Sequence, residues 1–109
     1  ITRAKQLSKK YNKPVVFTEF SLNSYTGATH YQLQKPANYQ FNMQEQANQF
    51  EGIMQAVEER PWIAGMHVWS WYLIKPGENV KWQLTDSNGD FNGKPGGQVL
   101  KKWYSKIER

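Results

Sequence analysis

The sequence predicts an α/β fold in which two short parallel strands are joined by a helix. Three observations lead there. Val15, Val16 and Phe17 form a continuous apolar run led by Pro14, as expected of a strand buried on both faces. A second run of this kind extends from Ile63 to Trp71. Between the two, Met43, Ala47, Phe50, Met54 and Val57 recur at helical spacing. Strand, helix and apolar strand in that order imply a parallel βαβ unit with a right-handed crossover.

Taken in order, Ile1, Ala4, Leu7 and Tyr11 mark one face of an opening amphipathic helix, with Arg and Lys between them. It ends near Asn12, before Pro14. The first strand carries a single carboxylate, Glu19, at its C-terminal end. Residues 20–42 have no periodicity and run through Ser, Asn, Tyr, Gly, Thr, His, Gln and Pro; loops this long are usually functional or disordered. Tyr25, His30, Tyr31, Tyr39 and Phe41 argue for order. Asn42 is a good N-cap for the central helix, and Glu45 stands where a capping box would have it reach back. Pro61 follows that helix. A second long loop runs from Tyr72 to about Lys94. Pro95 then suits the first turn of a last helix, whose buried stripe is Val99 or Leu100, Trp103 and Ile107.

Two parallel strands flanked by three helices do not close a sheet, and both strand edges call for partners. The expected completion is the rest of an eight-stranded (β/α) barrel, which usually needs about 250 residues. Residues 1–109 are read as one segment of such a barrel.

Composition excludes several function classes. The chain has 109 residues and a net charge of +5, and its cations are scattered near the two termini as solvated helix faces. No basic stripe interleaves with the aromatics, so a nucleic-acid partner is not expected. There is no Cys, hence no disulfide, thiolate metal site or cysteine nucleophile. No transmembrane run or signal peptide stands out, so no membrane partner is expected. An export signal, if the protein carries one, would lie upstream of Ile1, which leaves the compartment open and secretion compatible.

The residues suited to chemistry sit at strand ends. In parallel α/β proteins ligands bind at the C-terminal ends of the strands. A carboxylate there, Glu19, can act as nucleophile, acid or base; the plainer reading is a strand-end Glu paired with a Lys or Arg. Alternation puts Val15, Phe17 and Glu19 on one face, and His67, Trp69 and Trp71 on one face of the second strand. Trp69 and then Trp71 are the best platforms for the C–H face of a sugar, although either could be a core residue. His67 lies deeper and reads as a hydrogen-bonded core histidine. Tyr25, Tyr72 and Trp82 could line sugar subsites or pin their loops. Asp86-Ser87-Asn88-Gly89-Asp90 invites a calcium reading, but the EF-hand pattern wants Gly at its sixth position and Glu at its twelfth. Those positions hold Phe91 and Gly97. A turn is expected, and no metal.

The stretch Lys13-Pro14-Val15-Val16-Phe17-Thr18-Glu19-Phe20, followed by Ser24-Tyr25-Thr26-Gly27-Ala28, resembles the seventh strand and loop of a retaining glycoside hydrolase barrel. The likeness is to glycoside hydrolase family 113, a β-mannanase-like group in the clan whose catalytic Glu residues stand on strands four and seven. Gln46-Ala47, Phe50-Glu51, Ile63-Ala64-Gly65 and Trp69-Ser70-Trp71 resemble its seventh helix and eighth strand. Asp90-Phe91 and Gly93-Lys94-Pro95, leading to Leu100 and Trp103-Tyr104, resemble its closing loop and last helix. The resemblance implies the C-terminal portion of a (β/α)8 barrel: helix, strand seven, helix, strand eight, helix. It implies Glu19 as nucleophile and Trp69 as the platform under the reacting sugar, with no cofactor. The acid/base Glu would stand on strand four, outside this chain, and Glu45, Glu51, Glu58 and Glu59 lie on the connecting helix away from the mouth. The chain alone is therefore not expected to turn over substrate. The expected partners are an oligosaccharide or polysaccharide with β-linked mannan- or glucan-like backbone, and the remainder of the barrel or a second copy of the chain. Two other readings remain: a non-catalytic carbohydrate-binding module of barrel-like form, and a self-associating structural fragment.

Overall fold

The computed structural model describes residues 1–30, 35–73 and 86–106. Five elements follow in order: α1 (Thr2–Tyr11), β1 (Val15–Phe20), α2 (Met43–Glu58), β2 (Ile63–Val68) and α3 (Pro95–Lys106). The strands pair in parallel as a two-stranded sheet, Val15 opposite Ile63 and Phe17 opposite Met66.

The opening helix ends as its sequence suggests, at an Asn12 in the left-handed conformation, which Asn tolerates better than most residues. It buries no residue, and its apolar stripe, including Ile1, Leu7 and Tyr11, stays exposed. The central helix starts at the expected cap: the Asn42 side chain accepts from the Glu45 N–H at 3.0 Å. The reciprocal half of a capping box is not made. The Asn42 N–H donates to Ser24 O instead, and the Glu45 carboxylate accepts from the Thr29 hydroxyl. Both partners belong to the loop after β1, so the cap ties that loop to α2.

The core lies on one face of the sheet. Phe50 and Met54 of α2, Leu100 and Trp103 of α3, and the loop residues Leu22 and Phe91 bury one another, with Phe20, Met66 and Val68 packed against them. Phe50 meets Phe20 and Phe91 edge-on, each at 5.9 Å between ring centroids, a favoured aromatic geometry. Gly96 makes room for this: a β-carbon there would stand 2.9 Å from the Phe50 ring. The other face of the sheet is bare, with Val16, Thr18, Ala64 and His67 exposed. Strands expected to be buried on both faces are thus covered on one, and His67 is a surface residue.

An ion pair reinforces the α2–α3 contact. Glu51 accepts from the Trp103 indole N–H at 3.0 Å and from the Lys102 ammonium at 3.2 Å. The indole hydrogen bond first, and then the Lys102 charge, hold the Glu51 carboxyl below its ordinary value against partial burial. A carboxyl with a folded-state pKa below its unfolded one adds stability above the unfolded value and loses it as pH falls through the folded one. Melting temperatures of wild type and Glu51→Gln should therefore differ at neutral pH and converge as the solution is acidified below about pH 4. A gap that persists unchanged into acid would contradict this.

Candidate functional site

The site is built where both strands end. At the tip of β1 the pairing register shifts between Phe17 and Phe20. Such an irregularity breaks the strict alternation of a strand. Phe20 turns into the core beside Phe50, while Thr18 and Glu19 are both exposed. Glu19 thus lies exposed at the strand tip, beside the register shift. Among the described residues its carboxylate makes no hydrogen bond or ion pair, so the expectation of a Glu neutralised by a neighbouring cation is not met there. It borders a cleft with Phe17, Phe20, Ile53 and Arg60.

The second strand ends at Val68, three residues earlier than its apolar run suggests. Trp69, Ser70 and Trp71 lie beyond it, so alternation no longer fixes which way they point; the Trp69–Ser70 peptide bond is cis. The Trp69 N–H donates to Phe20 O at 2.7 Å, which seats Trp69 beside the residue after Glu19. Trp69 is 60% exposed and Trp71 56%. The Trp71 ring leans edge-on against Phe91 at 5.3 Å and borders, with His67, a cleft of ≈ 720 Å³ between β2 and α3. Glu19 and Trp71 thus face different clefts, and the link between the two strand ends runs through the Trp69 backbone.

The loop aromatics divide. Tyr72 is exposed, and its backbone is held at both ends: its N–H donates to Asp90 Oδ1 at 3.1 Å, and its carbonyl accepts from Asn92 Nδ2 at 2.8 Å. Tyr25 is 0% exposed and packs edge-on against Tyr39, with a bridge to Phe41. It pins the loop after β1 and presents no face to a ligand in this conformation. Trp82 lies outside the described residues.

Three polar residues that the sequence reading did not single out organise the mouth. Asp90 is buried and accepts from both the Tyr72 and Asn92 N–H groups. Gln46, fully buried on α2, donates to Leu22 O at 2.7 Å and Asp90 O at 3.3 Å, one acceptor from each mouth loop. Among the described residues its Oε1 has no hydrogen-bond partner. Lys94 is buried between the same loops. Local sequence sets none of them apart: Gln46 stands among Gln44, Glu45, Asn48 and Gln49, and Asp90 and Lys94 lie in polar turns. Gly89 completes the contact between the loops: a β-carbon there would overlap the Ser21 hydroxyl and stand 3.2 Å from Trp69 O. No group of three or more His, Cys, Asp or Glu side chains suited to a metal occurs among the described residues.

The profile of Glycoside Hydrolase Family 113 matches residues 1–92. The chain belongs to that family. Solved structures agree. A GH113 β-1,4-mannanase determined as a complex superposes with a TM-score of 0.81 at 25% identity, covering 99% of this chain and 34% of that one. A second GH113 β-1,4-mannanase structure gives 0.77 at 26% identity, covering 99% and 34%. The GH113 β-mannanase AaManA from Alicyclobacillus acidocaldarius, in complex with ManMIm, gives 0.75 at 20% identity, covering 96% and 33%, a likeness of fold. No curated protein matches. The chain thus spans about a third of the length of the family structures it resembles, and its two parallel strands and three helices correspond to that part of a (β/α)8 barrel enzyme.

Proposed function

We propose that this family 113 chain supplies the nucleophile-bearing part of a retaining glycoside hydrolase acting on β-linked mannan or a similar glycan. What carries the reading is Glu19: an exposed carboxylate at the C-terminal tip of a parallel strand, without a hydrogen-bond or ionic partner among the described residues. The family membership and the β-1,4-mannanase names of two similar structures support the substrate class.

In this reading Glu19 attacks the anomeric carbon as the leaving-group oxygen is protonated, forming a glycosyl-enzyme that water then hydrolyses. Trp69 offers its exposed indole face to the sugar ring, with Trp71 and Tyr72 further along the mouth and Trp82 as a loop contribution. Retention needs a second carboxyl about 5–5.5 Å from the first. The described carboxylates do not suit that role. Glu45 is held by Thr29, Glu51 by Trp103 and Lys102, and Asp90 by two backbone N–H groups; Glu58 and Glu59 lie at the C-terminal end of α2, at the opposite end of the βα unit. Asp86 stands beside the Lys94 ammonium, so no described carboxylate is left for the acid/base; the family likeness puts it on strand four, and on that reading the chain by itself should bind a glycan without hydrolysing it.

The test joins this chain to the other two-thirds of a family 113 barrel and treats the product with a fluorinated, activated mannoside that traps glycosyl-enzymes. The peptide containing Glu19 should gain the mass of the sugar. Covalent sugar on a different residue would sink the assignment, and binding with no trapped sugar anywhere would favour a non-catalytic carbohydrate-binding role.

A further inference from the structure

The turn Asp86-Ser87-Asn88-Gly89-Asp90 has the composition of a cation loop, and the structure fills it with a cation from the same chain. The Lys94 ammonium, on a residue 1% exposed, donates to Asp86 O at 2.7 Å, to Ser24 Oγ at 2.9 Å and to Asn88 O at 3.5 Å. The Asp86 carboxylate stands 3.7 Å away. An ammonium has three N–H donors, and three acceptors meet it. The Ser24 hydroxyl in turn donates to Asp86 O at 2.9 Å or Asn88 O at 3.2 Å. Backbone carbonyls, a hydroxyl and a carboxylate make an all-oxygen cage of the kind that hard cations prefer. The cage spans two loops, with Ser24 from the β1–α2 connection and Asp86 and Asn88 from the β2–α3 connection.

We propose that Lys94 is a tethered cation: its ammonium occupies an oxygen-lined cation site between the two mouth loops and holds them in register, and the site emptied of it takes a free primary alkylammonium. The inference stands whether or not Glu19 is a nucleophile.

A buried ammonium is costly unless it is hydrogen-bonded and charge-compensated, and both conditions are met. Burial pulls Lys94 below the ordinary lysine value, while the charges of Asp86 and Asp90 act to keep it protonated. The neighbouring ties depend on the same alignment. The Ser24 N–H donates to Ser87 O at 2.9 Å, and Lys35 Nζ donates to Ser87 Oγ at 2.9 Å. Shape alone does not account for Lys94, because with an apolar side chain of equal length the single Ser24 hydroxyl proton could serve only one of the Asp86 and Asn88 carbonyls, leaving the other with the penalty of a buried acceptor.

The test follows amide hydrogen exchange in the full chain, with the Ser24 N–H as reporter and the amides inside α2 as internal reference. Lys94→Met keeps the length and removes the charge. It should lower protection at Ser24 at least ~10-fold, the scale of one lost charge-assisted hydrogen bond, while the α2 amides stay as protected as in wild type. Lys94→Ala should show the same loss, reversed by propylammonium, which restores the three missing carbons and the ammonium, and not by 1-propanol. Protection at Ser24 in Lys94→Met equal to wild type overturns the proposal. So does rescue of Lys94→Ala by both additives alike, which would mark simple cavity filling, or by neither. Should Lys94→Ala not fold, the same additives are scored on refolding by circular dichroism: recovery with propylammonium alone supports the proposal, and any other pattern overturns it.

Discussion

Replacing Glu19 with Ala in a barrel completed by the other two-thirds of a family 113 enzyme should lower kcat by several orders of magnitude and leave folding nearly unchanged. The two halves of that expectation have separate causes. The carboxylate is exposed and makes no bond among the described residues, so its removal orphans no partner, and surface changes of this kind usually stay within ~0.5 kcal/mol. The chemistry, by contrast, loses the atom that would form the covalent intermediate. Azide added to the variant should restore turnover by attacking the vacated face of the anomeric carbon, giving a glycosyl azide of inverted configuration. Turnover near wild type without azide would remove Glu19 from the mechanism. Loss of turnover accompanied by unfolding would reassign it to structure.

Phe50→Ala should produce a large loss of stability, about 3–5 kcal/mol. Domains of this size are stable by only ~5–15 kcal/mol in total, so the variant should be marginally folded or unfolded at room temperature. The ring is fully buried and meets Phe20 and Phe91 edge-on. Those neighbours follow Glu19 and Asp90 directly in sequence. One side chain on α2 therefore anchors the strand tip that bears the carboxylate and the turn that fixes Tyr72. Denaturant titration measures this, and a midpoint shift equivalent to less than ~1 kcal/mol would show that the three rings do not form the core's centre.

Much of this architecture could be read from the chain before any coordinates. The helical stripe of α2, Leu100 and Trp103 of the α3 stripe (Ile107 lies outside the described residues), the Asn42 cap, the two parallel strands and the likeness to family 113 all rest on local patterns, and the structure and comparisons agree with them. What local pattern could not supply is long-range. A register shift at the tip of β1 depends on how two strands share hydrogen bonds, which the pattern of one strand does not carry. The second strand stops at Val68 although the sequence stays apolar through Trp69, because apolar character marks burial and stacking surfaces as well as strands. Tyr25 looked like any loop aromatic until Tyr39 was found against it. Gln46, Asp90 and Lys94 act across 24 to 70 positions of chain, where no periodicity reaches. The surface expected to be covered on both faces of the sheet is bare on one, where Val16, Ala64 and His67 stand exposed.

The span of the Lys94 cage also has a kinetic consequence. Its bond to Ser24 closes a loop of 70 residues, and closing so long a loop costs entropy before any contact repays it. Docking of the α2–α3 core ahead of the Lys94–Ser24 bond is the order this cost leads one to expect. In the reverse direction the polar ties at Lys94 can open locally while Leu22 and Phe91 keep the same loops anchored in the core.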